Sequence, residues 1–247
     1  MRYFIHLTYH GGSYVGWQIQ DNGASIQAEL EDKIATIIRS EVRVSGCGRT
    51  DAGVHARAYC AHVDVEEDLC THTDRLNRML PHSILIKSIF PVPEDLHARF
   101  SAEERGYRYY VSKTKDPLRM GMVYHYHACN SIDEEKLDQA AKLLLNYNEF
   151  FPFCKSKSGV DHYKCCLRKS QWTETEHEYI YEITANRFLR GMVRLIVGMC
   201  LQVSIGRVPL TSVKQALDLQ TSMAKSWAVP AHGLFLERIV YPEFTIQ

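Results

Sequence analysis

Residues 2–9 (RYFIHLTY) alternate apolar and polar positions and are rich in β-formers, which predicts a strand. Residues 10–23 break the pattern: Gly11, Gly12, Gly16 and Gly23 surround Tyr14 and Trp17, and the segment reads as a loop. From Ser25 onward, Ile26, Leu30, Ile34, Ile37 and Ile38 recur at helical spacing, with Ser25 a suitable N-cap. A short strand over 42–46 runs into the glycine-rich stretch 46–53, and residues 58–65 (AYCAHVDV) alternate again. A short helix over 72–80 and a strand over 83–92 complete the order β-α-β-β-α-β, that of a split βαβ, ferredoxin-like unit.

The second half repeats this theme loosely. Strands are predicted over 106–113 and within 166–185, the latter folding back around residues 176–178. An amphipathic helix is expected over 132–146 (Ile132, Leu137, Ala141, Leu144) and a long one over 188–204, before a closing strand at 233–241. Residues 115–130 and 154–165 read as surface loops. The fold class expected is α+β, with an N-terminal half over 1–104 and a C-terminal half over 105–247. The halves show no clear self-similarity in residues.

Composition is that of a globular protein: 247 residues, 45% hydrophobic and 23% charged. No run approaches the roughly 18 apolar residues a membrane span needs, since Arg190 and Arg194 interrupt 188–205. The start of the chain lacks the basic-then-apolar pattern of a signal peptide, so a cytoplasmic location is expected. Eight cysteines occur without any C-x-x-C pair, which fits free, mostly buried thiols. The 29 basic and 29 acidic side chains cancel. That balance weighs against nucleic-acid binding without excluding it, because a local patch decides binding.

Three clusters carry candidate chemistry. In GCGRTDAGVH (46–55), Asp51 and Arg49 sit between Gly48 and Gly53, so a carboxylate is presented on a tight turn. An ordinary Asx turn beside a solvated arginine has the same composition. In HARFSAEERGYRYY (97–110), Arg99, Arg105 and Arg108 interleave with Phe100, Tyr107, Tyr109 and Tyr110. Such a mixture suits phosphates and stacked, unpaired bases, but equally a strand with core aromatics and solvated arginines. In a strand, Tyr107 and Tyr109 share one face and Arg108 takes the other. In NRFLRGMVRLIVG (186–198), a helix places Arg190 and Arg194 on one side. An arginine buried there needs a carboxylate, for which Asp51 is a natural partner; otherwise its stem reaches outward to solvent.

Taken together, GRTDAGVHA (48–56), HARFSA with YRY (97–102 and 107–109) and F-x-x-x-MVR-x-IVG (188–198) strongly resemble the signature stretches of the tRNA pseudouridine synthase A family. YHGGSYVGWQIQ (9–20), SIQAELE (25–31) and AHGLFLERIVYP (231–242) extend the resemblance, in order, over nearly the whole chain.

The resemblance implies two ferredoxin-like halves whose central antiparallel sheets form a positively charged cleft, and a homodimer whose two subunits both contact each tRNA. It implies isomerisation of uridine to pseudouridine at tRNA positions 38 to 40, without metal or organic cofactor. By motif, Asp51 is the nucleophile, directed at the sugar C1′, at the uracil ring or at elimination to a glycal. Arg194 is its pairing arginine and keeps it ionised. Tyr107 stacks on the uracil, Arg49 helps hold or replace the flipped base, and Arg99 fits a phosphate contact.

Three features depart from this pattern. The neutral charge requires acidic outer surfaces, such as 66–68 and 133–135, to offset a basic cleft. The segment 149–166 keeps family-like Phe150 and Phe153 but adds Cys154, His162, Cys165 and Cys166, and HYHAC adds His125, His127 and Cys129. Zinc takes such ligands, yet adjacent Cys165 and Cys166 suit one tetrahedral ion poorly. A non-catalytic RNA-binding module, a zinc-bearing structural protein and a synthase with another RNA target are the competing readings.

Overall fold

The computed structural model describes residues 1–155, 159 and 161–247. Its elements follow in chain order: β1 (Arg2–Tyr9), α1 (Ile26–Ile38), β2 (Ser45–Gly46), β3 (His55–Asp64), α2 (Thr73–Met79), β4 (Ile84–Val92), β5 (Glu104–Ser112), β6 (Tyr124–His125), α3 (Glu134–Leu143), β7 (Leu167–Glu174), β8 (Glu178–Ala185), α4 (Met192–Ser204), α5 (Leu210–Leu219), β9 (Leu234–Val240) and β10 (Thr245–Ile246). The protein is mixed α/β, its central sheet mostly antiparallel. Among the described residues, no helix is long and apolar enough to cross a membrane.

Two compact units partition the chain: Met1–Arg105 with Phe235–Gln247, and Gly106–Leu234. The expected halves, 1–104 and 105–247, divide at nearly the same point but leave the final strand in the second half. Its first residues instead run parallel to the start of β3, His55 opposite Phe235 and Ala56 opposite Leu236.

In the first unit, β1 pairs antiparallel with both β3 and β4, and β2 pairs antiparallel with β3. The order β4-β1-β3-β2, with α1 between β1 and β2 and α2 between β3 and β4, follows from burial as much as from hydrogen bonding. Ile5, Leu7 and Tyr59 are wholly buried, each side chain contributing about 1.5–3 kcal/mol of transfer free energy. Helix α1 begins where Ser25 accepts the Ala28 N–H and buries Ile26, Leu30, Ile34 and Ile37. That is the expected apolar stripe with its cap. On β1, Phe4 gathers His62, Phe90, Tyr241 and Phe244 in one ring cluster. The Tyr241 hydroxyl reaches on to the Ala98 carbonyl at 2.7 Å. The chain terminus is therefore anchored beside the segment that carries Arg99.

In the second unit, β7 and β8 form the expected hairpin, β8 lies between β7 and β5, and β6 runs parallel to the end of β5. Helix α4 is buried at nearly every position and packs on α3, as a helix apolar all round must. It begins at Met192 rather than at 188, because Gly191 takes a left-handed φ of 70° and interrupts the helical path. Arg190 therefore lies outside the helix, exposed, and shares no helix face with Arg194. Helix α3 ends at Leu143, and Leu144–Asn146 tighten into a 3-10 turn. The expected strand over 42–46 shortens to two residues. The segment 115–130 is not simply a surface loop, since it contains β6 and buries Val123, Tyr126 and Cys129.

Candidate active site

Asp51, Arg49 and Arg99 belong to the first unit; Tyr107 and Arg194 belong to the second. The loop 47–54 joins β2 to β3, two antiparallel neighbours. Its entry is tied down by the Cys47 N–H on the Cys60 carbonyl at 2.8 Å and by the Tyr59 hydroxyl, which donates to the Gly48 carbonyl. Its tip is a tight turn in which the Val54 N–H donates to the Asp51 carbonyl at 3.2 Å. Gly53 supplies the left-handed φ of 80° that the turn requires. Gly48 has a negative φ and open space around it, so the pair of permissive glycines expected around Asp51 reduces to one within the loop.

The loop preceding α1 braces the other side. Gly16 has φ 109°, and a Cβ there would stand 2.2 Å from the Thr50 carbonyl oxygen. The Thr50 hydroxyl, itself buried, meets the Tyr9 hydroxyl at 3.0 Å. The residue immediately before Asp51 is thus fixed by side chain and backbone, while Asp51 stays partly exposed and Arg49 is exposed. The arrangement presents a carboxylate from a rigid frame, as a pre-organised reacting group demands.

Arg99 lies on the exposed loop after β4, its guanidinium 5.4 Å from the Phe100 ring centre. Phe100 is 76% exposed. The loop's backbone is capped by histidines: His97 Nδ1 accepts from the Arg99 N–H at 3.0 Å, and His62 Nδ1 accepts from the Ala98 N–H at 3.2 Å. Burial pushes the His62 imidazole down to about 4, keeping it neutral and able to accept.

In the second unit, β5 separates its tyrosines by role. Tyr107 is half-buried, its ring edge-on to Phe188 at 5.2 Å. Tyr109 is wholly buried and donates to the Pro230 carbonyl at 2.8 Å. Arg108 takes the opposite face and pairs with Glu182 at 3.7 Å, as the strand period requires. Arg194 lies in the first turn of α4, half-buried; its Nε donates to the Val229 carbonyl at 2.7 Å, and the Val229 N–H returns a bond to the Arg194 carbonyl. Of the segment 227–233 that orients Arg194, only Ala231–Gly233, the start of AHGLFLERIVYP, carried a sequence signal.

Among the described residues, no three His, Cys, Asp or Glu side chains are gathered as metal ligands. Cys165 is buried and Cys166 exposed, so their thiols diverge. Part of the Cys/His-rich segment 154–166 lies outside the described residues.

A family model described as tRNA pseudouridine synthase matches residues 140–242. The "tRNA pseudouridine synthase A" of Porphyromonas gingivalis is 40% identical over 98% of this chain and 97% of its own length. Those of Bacillus subtilis and Staphylococcus aureus are 33% and 30% identical over 98% of this chain, covering 99% and 92% of theirs. The chain belongs to the tRNA pseudouridine synthase A family. As a tRNA pseudouridine synthase A family member it is an isomerase, and the competing readings as a bare binding module or a zinc-bearing structural protein fall away.

Proposed function

We propose that the protein isomerises uridine to pseudouridine at positions 38 to 40 of tRNA, with Asp51 as the nucleophile. The observation that carries this reading is the Asp51 turn, which holds a partly exposed carboxylate on a backbone fixed by Thr50, Gly16 and Gly53.

The target uridine first leaves the stack, which costs a few kcal/mol. Asp51 then attacks C1′. The C1′–N1 bond breaks, its electron pair leaves with the uracil, and an ester bond joins C1′ to the carboxylate. The uracil turns in the site. C5 attacks C1′, the ester bond breaks and Asp51 is regenerated as carboxylate. C5 loses its proton and N1 gains one, so the product is an isomer with no net oxidation or reduction. Attack on the uracil ring, or elimination to a glycal, gives the same product.

Arg194 pairs with Asp51 in this reading and orients it through charge-assisted hydrogen bonds. Tyr107 stacks on the uracil, Arg49 helps hold or replace the flipped base, and Arg99 contacts phosphate. No cofactor is required. The reading also includes two ferredoxin-like halves, supported by the β4-β1-β3-β2 order of the first unit, and a positively charged RNA cleft. It further includes a homodimer, a point that rests on family resemblance, acting in the cytoplasm.

The test is pseudouridine formation in unmodified tRNA transcripts, mapped site by site, with wild type and Asp51→Ala. Product at positions 38 to 40 from wild type alone, without added metal, supports both target and nucleophile. Product elsewhere in the tRNA overturns the target, and activity in Asp51→Ala overturns the nucleophile.

A further inference from the structure

Arg105 is the last residue of the first unit, and its sequence neighbourhood suggests a phosphate-binding arginine. The structure uses its guanidinium otherwise. Nη1 donates to the Ala102 carbonyl at 2.8 Å, and Nη2 donates to both the Cys47 carbonyl at 2.9 Å and the Arg99 carbonyl. Two of these acceptors lie on the loop that carries Arg99. The third opens the loop that carries Arg49 and Asp51. The two loops are 58 residues apart in sequence at the bond to Cys47.

We propose that Arg105 is a positioning residue that locks the Asp51 loop to the Arg99 loop, so that the reacting carboxylate and the phosphate contact keep one fixed spacing. The inference rests on the reading of Asp51 as nucleophile. A planar fork with five donors can serve three carbonyl oxygens in two loops at once; an ammonium on a flexible stem carries the same charge without that geometry. Histidine caps fix the Arg99 loop locally through His97 and His62, and Tyr59 fixes the Asp51 loop locally. Arg105 adds a bond from one loop to the other. A spacing error of about 1 Å at a reacting group can cost about 10²-fold in rate.

The experiment compares wild type, Arg105→Lys and Asp51→Asn in single-turnover pseudouridine formation, tRNA affinity across a salt series, and amide hydrogen exchange. Arg105→Lys is expected to lose about 10²-fold in rate, to keep its tRNA affinity and salt slope, and to exchange faster within 47–53 and 97–102 only. Three results overturn the proposal. One is a full rate in Arg105→Lys, meaning that charge alone suffices. Another is a weakened affinity and lower salt slope with the bound rate intact, meaning a phosphate contact. The third is a variant that fails to fold or exchanges faster throughout the unit, meaning a general structural role. Failure of the underlying reading looks different: wild type makes no product, or Asp51→Asn stays active.

Discussion

The residues that shape the site divide into those that react and those that hold backbone. Gly16 and Gly48 show how sharply that line is drawn. A Cβ at Gly16 would meet the Thr50 carbonyl oxygen at 2.2 Å, at a φ of 109°. Gly16→Ala should therefore displace the residue before Asp51 and destabilise the protein by about 1–3 kcal/mol. Gly48 meets nothing within 4 Å and has a negative φ, so Gly48→Ala should stay within about 0.5 kcal/mol of wild type. Thermal melting with a pseudouridine assay checks both, and equal losses would remove the distinction. In the proposed function Arg99 contacts phosphate; it is exposed, with its guanidinium over Phe100. If it contacts one phosphate, Arg99→Ala should lower the slope of log affinity against log salt by about one and leave the rate of bound tRNA intact. A collapsed rate at full affinity would give it a chemical role instead. The strings around Asp51, Arg99 and Arg194 were readable in the sequence as candidate chemistry. What Arg105 bonds was not, because its acceptors are carbonyls that any residue supplies.

At the scale of elements, periodicity located β1, α1, β4 and the β7–β8 hairpin within a residue or two, since apolar positions recur along each at the strand or helix period. It misplaced the start of α4, where Phe188 and Leu189 continue an apolar run that Gly191 stops. It passed over α5, although Val213, Ala216 and Leu217 are its buried positions and Pro209 precedes it; Leu219, exposed at its end, blurs the apolar stripe. Packing against α4 explains one further position. A Cβ at Gly198 would stand 1.6 Å from the Trp227 carbonyl oxygen, so the helix accepts the 227–233 segment only through a bare backbone. That segment holds the Nε of Arg194 through Val229. Gly198→Ala should cost about 1–3 kcal/mol through overpacking and reduce pseudouridine formation along with stability. Stability lost with an unchanged rate at saturating tRNA would show that Arg194 keeps its place without the segment.

For the whole molecule, the sequence order could not show that the last strand returns to the first unit, because strand pairing between distant segments leaves no local pattern. That return anchors Tyr241 and Phe244 on the Phe4 cluster beside His62, and it bears on stability against pH. Burial pushes the imidazoles of His6 and His62 down to about 4, and burial lowers His97 as well. The charged groups near them are Lys87 for His6, Arg2 and Asp64 for His62 and His97, and Arg99 for His97; of these only Asp64 opposes the shift. A histidine neutral in the folded state takes up its proton on unfolding, near 6.5. The unfolded chain therefore binds more protons between that value and about 4, and stability falls as pH drops through this window. Asp64, held below 3.8 by its hydrogen bond from Arg2, loses its own contribution only at lower pH. Thermal melting of wild type and His62→Asn from neutral pH to about 4 separates the cause. Asparagine can still accept the Ala98 N–H but takes up no proton, so the variant should lose less stability across the window. Parallel curves would assign the acid sensitivity to other groups.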